Sequence, residues 1–449
     1  MSASATDDVL KILDPLVAKA KAEGADDVEA MLVNHVSTAV SWRDGKVESL
    51  EESDSGDIGL RVFIGKRQAS VASTDRRPAA LQKLVERAVA MARVAPEDPF
   101  AGLATPEEIA RDVPVLDLAD TFDVTPQQLV DLAREAEDAA RAVAGVTLVD
   151  STDASASQTV VSMAFSNGFV GATRRTHYAT SASVIAGADQ DMVTDYDFAA
   201  RTHRADLPSA AEIGRRAGER TVHKLGPRKM PTCQVPVVFD PREAAGLLRH
   251  FAGAISGASV ARGTSFLKDE LGKAVFPTPV TIVDDPYRPR GLRSRAFDGE
   301  GCAVQRRALV EQGVLTSWLL DLRSARQLGL ATTGHASRSV GGVPYPSATN
   351  LYLENGALSV DDLIADIDQG FYVTQQMGMG INGVTGDYSQ AASGFWIEKG
   401  KIAFPVHEVT IASNMRAMFA SIVVANDLAF ERGIDAPTLR VERMTVAGN

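Results

Sequence analysis

The stretch DVEAMLVNHVSTAVSWRDGKVESLEES, residues 27–53, alternates polar and apolar side chains around Asp44-Gly45. A period of two puts successive side chains on opposite faces of a sheet, and Asp-Gly supplies the positive φ angles of a tight hairpin. GLRVFIGKRQASVAST, residues 59–74, alternates again around Gly65-Lys66, so the first 75 residues predict a meander of four antiparallel strands. Helices belong on one face of that sheet. Helical spacing recurs over residues 8–23, with Pro15 expected to kink it, and over 78–94, through Leu81, Leu84, Val85, Ala88 and Val89. Thr125-Pro126 opens another helix, closed by Gly145, and a further one is expected over 209–225; between them, strands over 146–187 turn at Asn167-Gly168.

GPRKMPTCQ, residues 226–234, with two prolines and a glycine, marks a boundary between domains at 1–229 and 230–449. Beyond it, strands are expected at 235–240, 280–285, 302–320, 349–355, 370–378, 394–406 and 437–446, with helices near 241–257, 321–329 and 413–428. The fold class is therefore α+β: an amino-terminal α/β domain of helices on an antiparallel sheet, then a strand-rich, barrel-like carboxy-terminal domain.

Acidic residues outnumber basic ones to a formal net charge of −12, which disfavours nucleic acid and anionic membranes as partners. No run reaches the roughly 18 apolar residues of a membrane span, and MSASATDDVLKILDPL lacks the basic and apolar regions of a leader, so a cytoplasmic location is expected. Two cysteines, Cys233 and Cys302, are too few for a disulfide framework.

Few residues suggest chemistry on their own. Asp240-Pro241-Arg242-Glu243 reads as a helix start, with Asp240 at the N-cap and Glu243 reaching back to the cap amide. His250 is too far along this helix to share an ion with Arg242-Glu243, and Arg242 brings a permanent positive charge. His407-Glu408 is the only His-Glu pair, without the second histidine of a zincin helix, and reads as part of a strand. His335 lies in a Gly/Ser/Thr loop where function is often placed. Ser265-Phe-Leu-Lys268 matches SxxK without its companion motifs, and Gly378-Met-Gly380-Ile-Asn-Gly383 matches GxGxxG before VTGDYSQAASG, which reads as a flexible loop. Asp284, Asp285, Asp298 and Glu300 could gather as a carboxylate cluster, although DDPYRPR also reads as a turn.

Several longer segments together resemble the TldD/PmbA metallopeptidase family. They are DGKVESLEESDSGDIGLRVFIGKRQASVAST, GAISGASVARGTSFLKDELGKAVFP, FDGEGCAVQRRALVEQGVLTSWLLDLRSARQLGLATTGHA, GFWIEKGKIAFPVHEVTIASN and APTLRV, collinear over nearly the whole chain. The resemblance implies that TldD-type chains hold a metal through H-E-x-x-x-H and a cysteine near the carboxy terminus, whereas TldE, or PmbA, chains do not. Laid on that motif, Arg242 stands for the first histidine, Glu243 for the glutamate and Leu247 for the second histidine, and no cysteine follows Cys302. It further implies a non-catalytic subunit with no cofactor of its own. Its expected partner is a TldD-like chain carrying a divalent metal, zinc by expectation, which cleaves unfolded or short peptides in a shared cavity. His335 and His407 are candidates for lining that cavity, and a homodimer is expected when the chain is isolated. Two other readings stay open: an autonomous hydrolase using His335, Ser265 or the acids at 284–300, and a regulatory or peptide-binding protein of the gyrase-modulator kind.

Overall fold

The computed structural model describes residues 3–111, 113–378 and 380–448. The hairpin at Asp44-Gly45 forms as the sequence requires, with φ of 51° and 74° at its two residues. It joins β1 (Asp27–Arg43) to β2 (Lys46–Ile64), and Gly65-Lys66 turns β2 into β3 (Arg67–Ser73). These are three strands rather than the expected four. Asp54-Ser55-Gly56-Asp57 does not turn; it stays in register with β1, Ser55 opposite His35 and Gly56 opposite Asn34. Farther along β2, glycine is kept for space at residue 59, because a Cβ on Gly59 would lie 1.9 Å from the Val340 carbonyl oxygen of the carboxy-terminal half.

β4 (Val146–Phe165), β5 (Val170–Ala186) and β6 (Val193–Arg201) complete one antiparallel sheet in the order β3-β2-β1-β4-β5-β6. Four helices cover one face: α1 (Ala3–Ala22), which continues through Pro15, α2 (Pro78–Val94), α3 (Pro126–Arg141) and α4 (Ala210–His223). Alternate residues meet them, Val28, Ala30 and Leu32 against α1 and α2, Val40 and Trp42 against α3. The opposite face is apolar only where other chain covers it. Met31 and Met163 pack on Ala296 and Phe297, whereas the half-buried Ser37, Ser41, Ser155 and Ser157 lie farther along the same face.

The carboxy-terminal half is built on β7 (Cys233–Phe239), β8 (Gln369–Met377), β9 (Asp387–Glu398), β10 (Lys401–Asn414) and β11 (Leu439–Ala447). They pair in the order β10-β9-β8-β7-β11, and Ile411 opposite Val446 closes β10 onto β11, so these five strands form a barrel without a free edge. A small sheet of five short strands, including Ile282–Asp285 and Asn350–Leu353, lies beside it. The long carboxy-terminal helix expected over 413–428 is only Met415–Ala420, because β-branched Ile422–Val424 pairs with β11 instead. The loop expected around GDYSQAASG is the first half of β9. Between β7 and β8 in the chain, α5 (Pro241–Ala254) packs Leu247, Leu248 and Phe251 into the main core.

Two glycines test this packing with opposite signs. Gly59→Ala should lower stability by about 2 kcal/mol or more, since the Val340 backbone must move. Gly246→Ala, at an open helical position whose nearest neighbour is Arg249 Nη2 at 3.8 Å, should raise it by about 0.5–1 kcal/mol. Urea midpoints at unchanged m-value would check both.

Candidate functional site

The start of α5 sits where the two halves of the molecule meet. Asp240 caps it, its Oδ1 accepting the Glu243 amide at 3.0 Å, and Pro241 takes the first helical position. The reciprocal half of the expected capping box is absent. The Asp240 amide is donated to the Val373 carbonyl at 3.1 Å, where β8 runs parallel to β7, so the Glu243 carboxylate has no cap to serve.

Arg242 turns away from the barrel toward edge strand β6. Its Nη1 donates to Asp195 Oδ1 at 3.0 Å and to the Tyr196 carbonyl at 3.1 Å; its Nη2 donates to the Thr374 carbonyl at 3.0 Å and lies 3.4 Å from Asp195 Oδ2. Nε approaches Asp240 at 3.3 Å, and Lys224, just beyond α4, reaches Asp195 Oδ2 at 2.8 Å. Two carboxylates and two cations thus neutralise one another in a site where Arg242 is only 8% exposed. Burial opposes the charge on Asp195, but Arg242 and Lys224 outweigh it and hold the carboxyl below its usual range. Burial likewise opposes the Arg242 charge, and Asp240 and Asp195 overcome it, keeping the guanidinium above its ordinary value.

Glu243, one residue on, is the converse. Burial, then the negative charge of Asp240, pushes its carboxyl up to about 7 against Arg242, Arg249 and Lys224. Leu247, 4% exposed, points into the apolar core with Phe251 and Phe276. These residues do not fit a divalent cation. At the positions that the resemblance assigns to the two histidines stand a guanidinium already paired with a carboxylate and a core leucine, so Glu243 alone of these three is a donor.

The other candidates are scattered. His335, 2% exposed, is enclosed, with Nε2 3.2 Å from Asp284 Oδ1 and Nδ1 2.7 Å from Thr333 Oγ1. His407 and Glu408 form a bulge in β10 opposite Ser393, with Glu408 at a φ of 58°. His407 lines a cavity of about 270 Å³ at the domain junction together with Lys224 and Gln375. Ser265 is buried, donating to the Ala254 carbonyl at 2.6 Å, and Lys268 is exposed. The acids of 284–300 have separate tasks: Asp284 accepts the Thr349 amide at 2.6 Å, Asp298 accepts the Glu300 and Cys302 amides, and Glu300 accepts the Leu322 amide. Within the GxGxxG match, Met379 lies outside the described residues. No helix follows Gly383, and Gly380 is needed because a Cβ there would lie 1.6 Å from the Ser389 carbonyl oxygen. Among the described residues no group of three His, Cys, Asp or Glu side chains is placed to hold a metal ion.

Family profiles match most of the chain. PmbA/TldA metallopeptidase domain 1 matches residues 28–92, the central domain 119–225 and the C-terminal domain 232–448. The chain belongs to the PmbA/TldD metallopeptidase family. Within that family it is similar to Metalloprotease PmbA of Escherichia coli O157:H7, 37% identical, with 98% of this chain and 96% of that one covered. It is also similar to the Metalloprotease PmbA homolog of Haemophilus influenzae, at 34% identity over 96% and 93% of the two chains. Among solved structures, TldE from Thermococcus kodakarensis superposes with a TM-score of 0.86 at 22% identity, covering 97% of this chain and 99% of that one. A Bacteroides thetaiotaomicron protein described as a proposed modulator of DNA gyrase superposes with a TM-score of 0.90 at 25% identity, covering 98% of both. The first two PmbA/TldD domains share the six-stranded sheet, and the third begins just before β7.

The Glu243 environment sets a pH dependence. A carboxyl whose folded value is raised leaves the folded state holding more protons than the unfolded one, so stability is full below the unfolded value and falls as pH rises toward 7. Wild-type protein should lose roughly 1–3 kcal/mol between about pH 4.5 and 7.5 from this group. Denaturation of Glu243→Gln across that range should show a correspondingly shallower decline.

Proposed function

We propose that this chain is the non-catalytic, PmbA/TldE-type subunit of a two-chain metalloprotease that handles unfolded or short peptides in the cytoplasm. One observation carries the reading: the Arg242 guanidinium, paired with Asp195 and flanked by Lys224, stands where the family resemblance puts a metal-binding histidine. With Leu247 in the core, the water-activating metal, zinc by its expected ligands, belongs to a TldD-like partner. The name of the similar Metalloprotease PmbA supports the PmbA branch of this reading. No helix among the described residues is long and apolar enough to cross a membrane. In the absence of the partner, the surface meant for a homologous chain can pair with itself, so the isolated protein is proposed to be a dimer.

The regulatory reading has the description of the Bacteroides structure in its favour. The autonomous-hydrolase reading is weakened by the enclosure of Ser265 and His335.

The test is elemental mass spectrometry of the untagged chain purified alone, beside peptidase assays with and without a TldD-like chain. Less than about a tenth of a transition-metal ion per chain is expected. Peptide cleavage should appear only with the second chain, and sedimentation velocity should show a dimer without it. A stoichiometric metal, or metal-dependent cleavage by the chain alone, would overturn the assignment.

A further inference from the structure

β3 is much shorter than β2, and the difference leaves part of a strand edge bare. β3 covers β2 only from Ile58 to Ile64. From Lys46 to Asp57, β2 pairs with β1 on its inner side, with one bulge at Glu48. Among the described residues no strand, bridge or loop bonds to its outer side there. The chain leaves β3 at Ser73 and turns into α2 from Pro78 instead of running on beside β2. Every residue from Lys46 to Asp54 is exposed, including Val47 at 42% and Leu50 at 44%. The bare edge runs for about 40 Å and turns a row of main-chain N–H and C=O groups to solvent.

The side chains along this edge decide which strand fits it. KVESLEESDSGD, residues 46–57, carries five carboxylates and one cation, Lys46. Other cations stand only at its two ends. Arg43 lies 3.9 Å from Glu48 beside the turn, and Arg76 lies over Gly56, its Nη2 donating to Asn34 Oδ1 at 2.5 Å. Between those ends Glu51, Glu52 and Asp54 have no ion pair among the described residues. Register with β1 sets Glu51 opposite Ala39 and Glu52 opposite Thr38, so carboxylates stand on both faces of the strand. Two-fold pairing of two such edges would set carboxylate against carboxylate, which disfavours a second copy of this chain. A strand carrying Lys or Arg meets the same carboxylates with opposite charge.

We propose that the Lys46–Asp57 edge of β2 binds an extended, basic peptide segment by strand addition, in line with β3. The main chain of the peptide pairs with β2, and its Lys or Arg side chains meet Glu51, Glu52 and Asp54. This rests on the peptide-handling reading above and adds a substrate class to it. Main-chain pairing tolerates many sequences, while the carboxylates select for charge. The net charge of −12 draws such a ligand in, and rising salt weakens its binding.

Fluorescence anisotropy and amide hydrogen exchange of the full chain test the proposal. The labelled peptides alternate Thr with Lys, Gln or Glu, and a fourth is the Lys peptide N-methylated at every second residue. At low salt the Lys peptide should bind about tenfold or more tightly than the Gln peptide, and the Glu peptide more weakly still. N-methylation keeps the charge but removes main-chain donors, and should weaken binding about tenfold. The Lys peptide should slow amide exchange within residues 46–57. The double variant Glu51→Lys, Glu52→Lys should lose the preference for Lys at an unchanged urea midpoint, because both side chains are exposed. Equal binding of the Lys and Gln peptides, undiminished binding of the methylated one, protection confined to other segments, an unaltered preference in the double variant, or no binding at all would overturn it. Metal content and dependence on a second chain are separate readouts, so failure here leaves the subunit assignment to be judged by them.

Discussion

Asp195 and Arg242 are the contact on which the arrangement of the two halves depends. One belongs to the edge strand of the amino-terminal sheet, the other to the first turn of α5, which follows the first strand of the carboxy-terminal domain. A buried carboxylate without a counter-charge costs several kcal/mol. Asp195 has two, Arg242 and Lys224, and the guanidinium spends its remaining donors on the Tyr196 and Thr374 carbonyls. A metal at this position would organise the start of α5 through ligand bonds; here a hydrogen-bonded ion cluster does so. Burial and the negative charge of Asp240 raise Glu243, beside this cluster, toward neutrality.

A second buried ionic joint lies elsewhere along the same junction. Arg61 from β2 lies 3.2 Å from Glu29 and 3.8 Å from Glu300, while Arg338 pairs with Glu29. Burial, then the charge of Asp298, keeps Glu300 well above the usual carboxylate range. With Met31 and Met163 packed on Phe297 and the Val340 carbonyl seated over Gly59, this joint fixes the sheet against the other domain from its opposite side.

Local chemistry was legible in the sequence wherever a short stretch decides its own conformation. The Asp44-Gly45 and Asn167-Gly168 turns, the Thr125 cap and the Asp240 cap form as their residues require. Reading failed where a distant partner intervenes. Ser55-Gly56 resembles a turn but is held straight by β1, Val423 and Val424 leave a helix to pair with β11, and β8 takes the Asp240 amide that Glu243 was expected to satisfy. The motif positions Arg242, Glu243 and Leu247 were visible, and so was the chemical misfit of arginine and leucine to a metal. Asp195 and Lys224, which explain why an arginine is tolerated there, carry no local signal.

A double-mutant cycle on Asp195→Asn and Arg242→Met, followed by chemical denaturation, measures this joint most directly. A coupling of about 2 kcal/mol or more between the two positions is expected, since Asp195→Asn leaves Arg242 and Lys224 with only Asp240 nearby, and Arg242→Met leaves Asp195 with Lys224 alone. Additive effects, with coupling below about 0.5 kcal/mol, would contradict the view that this ion pair holds the two domains together.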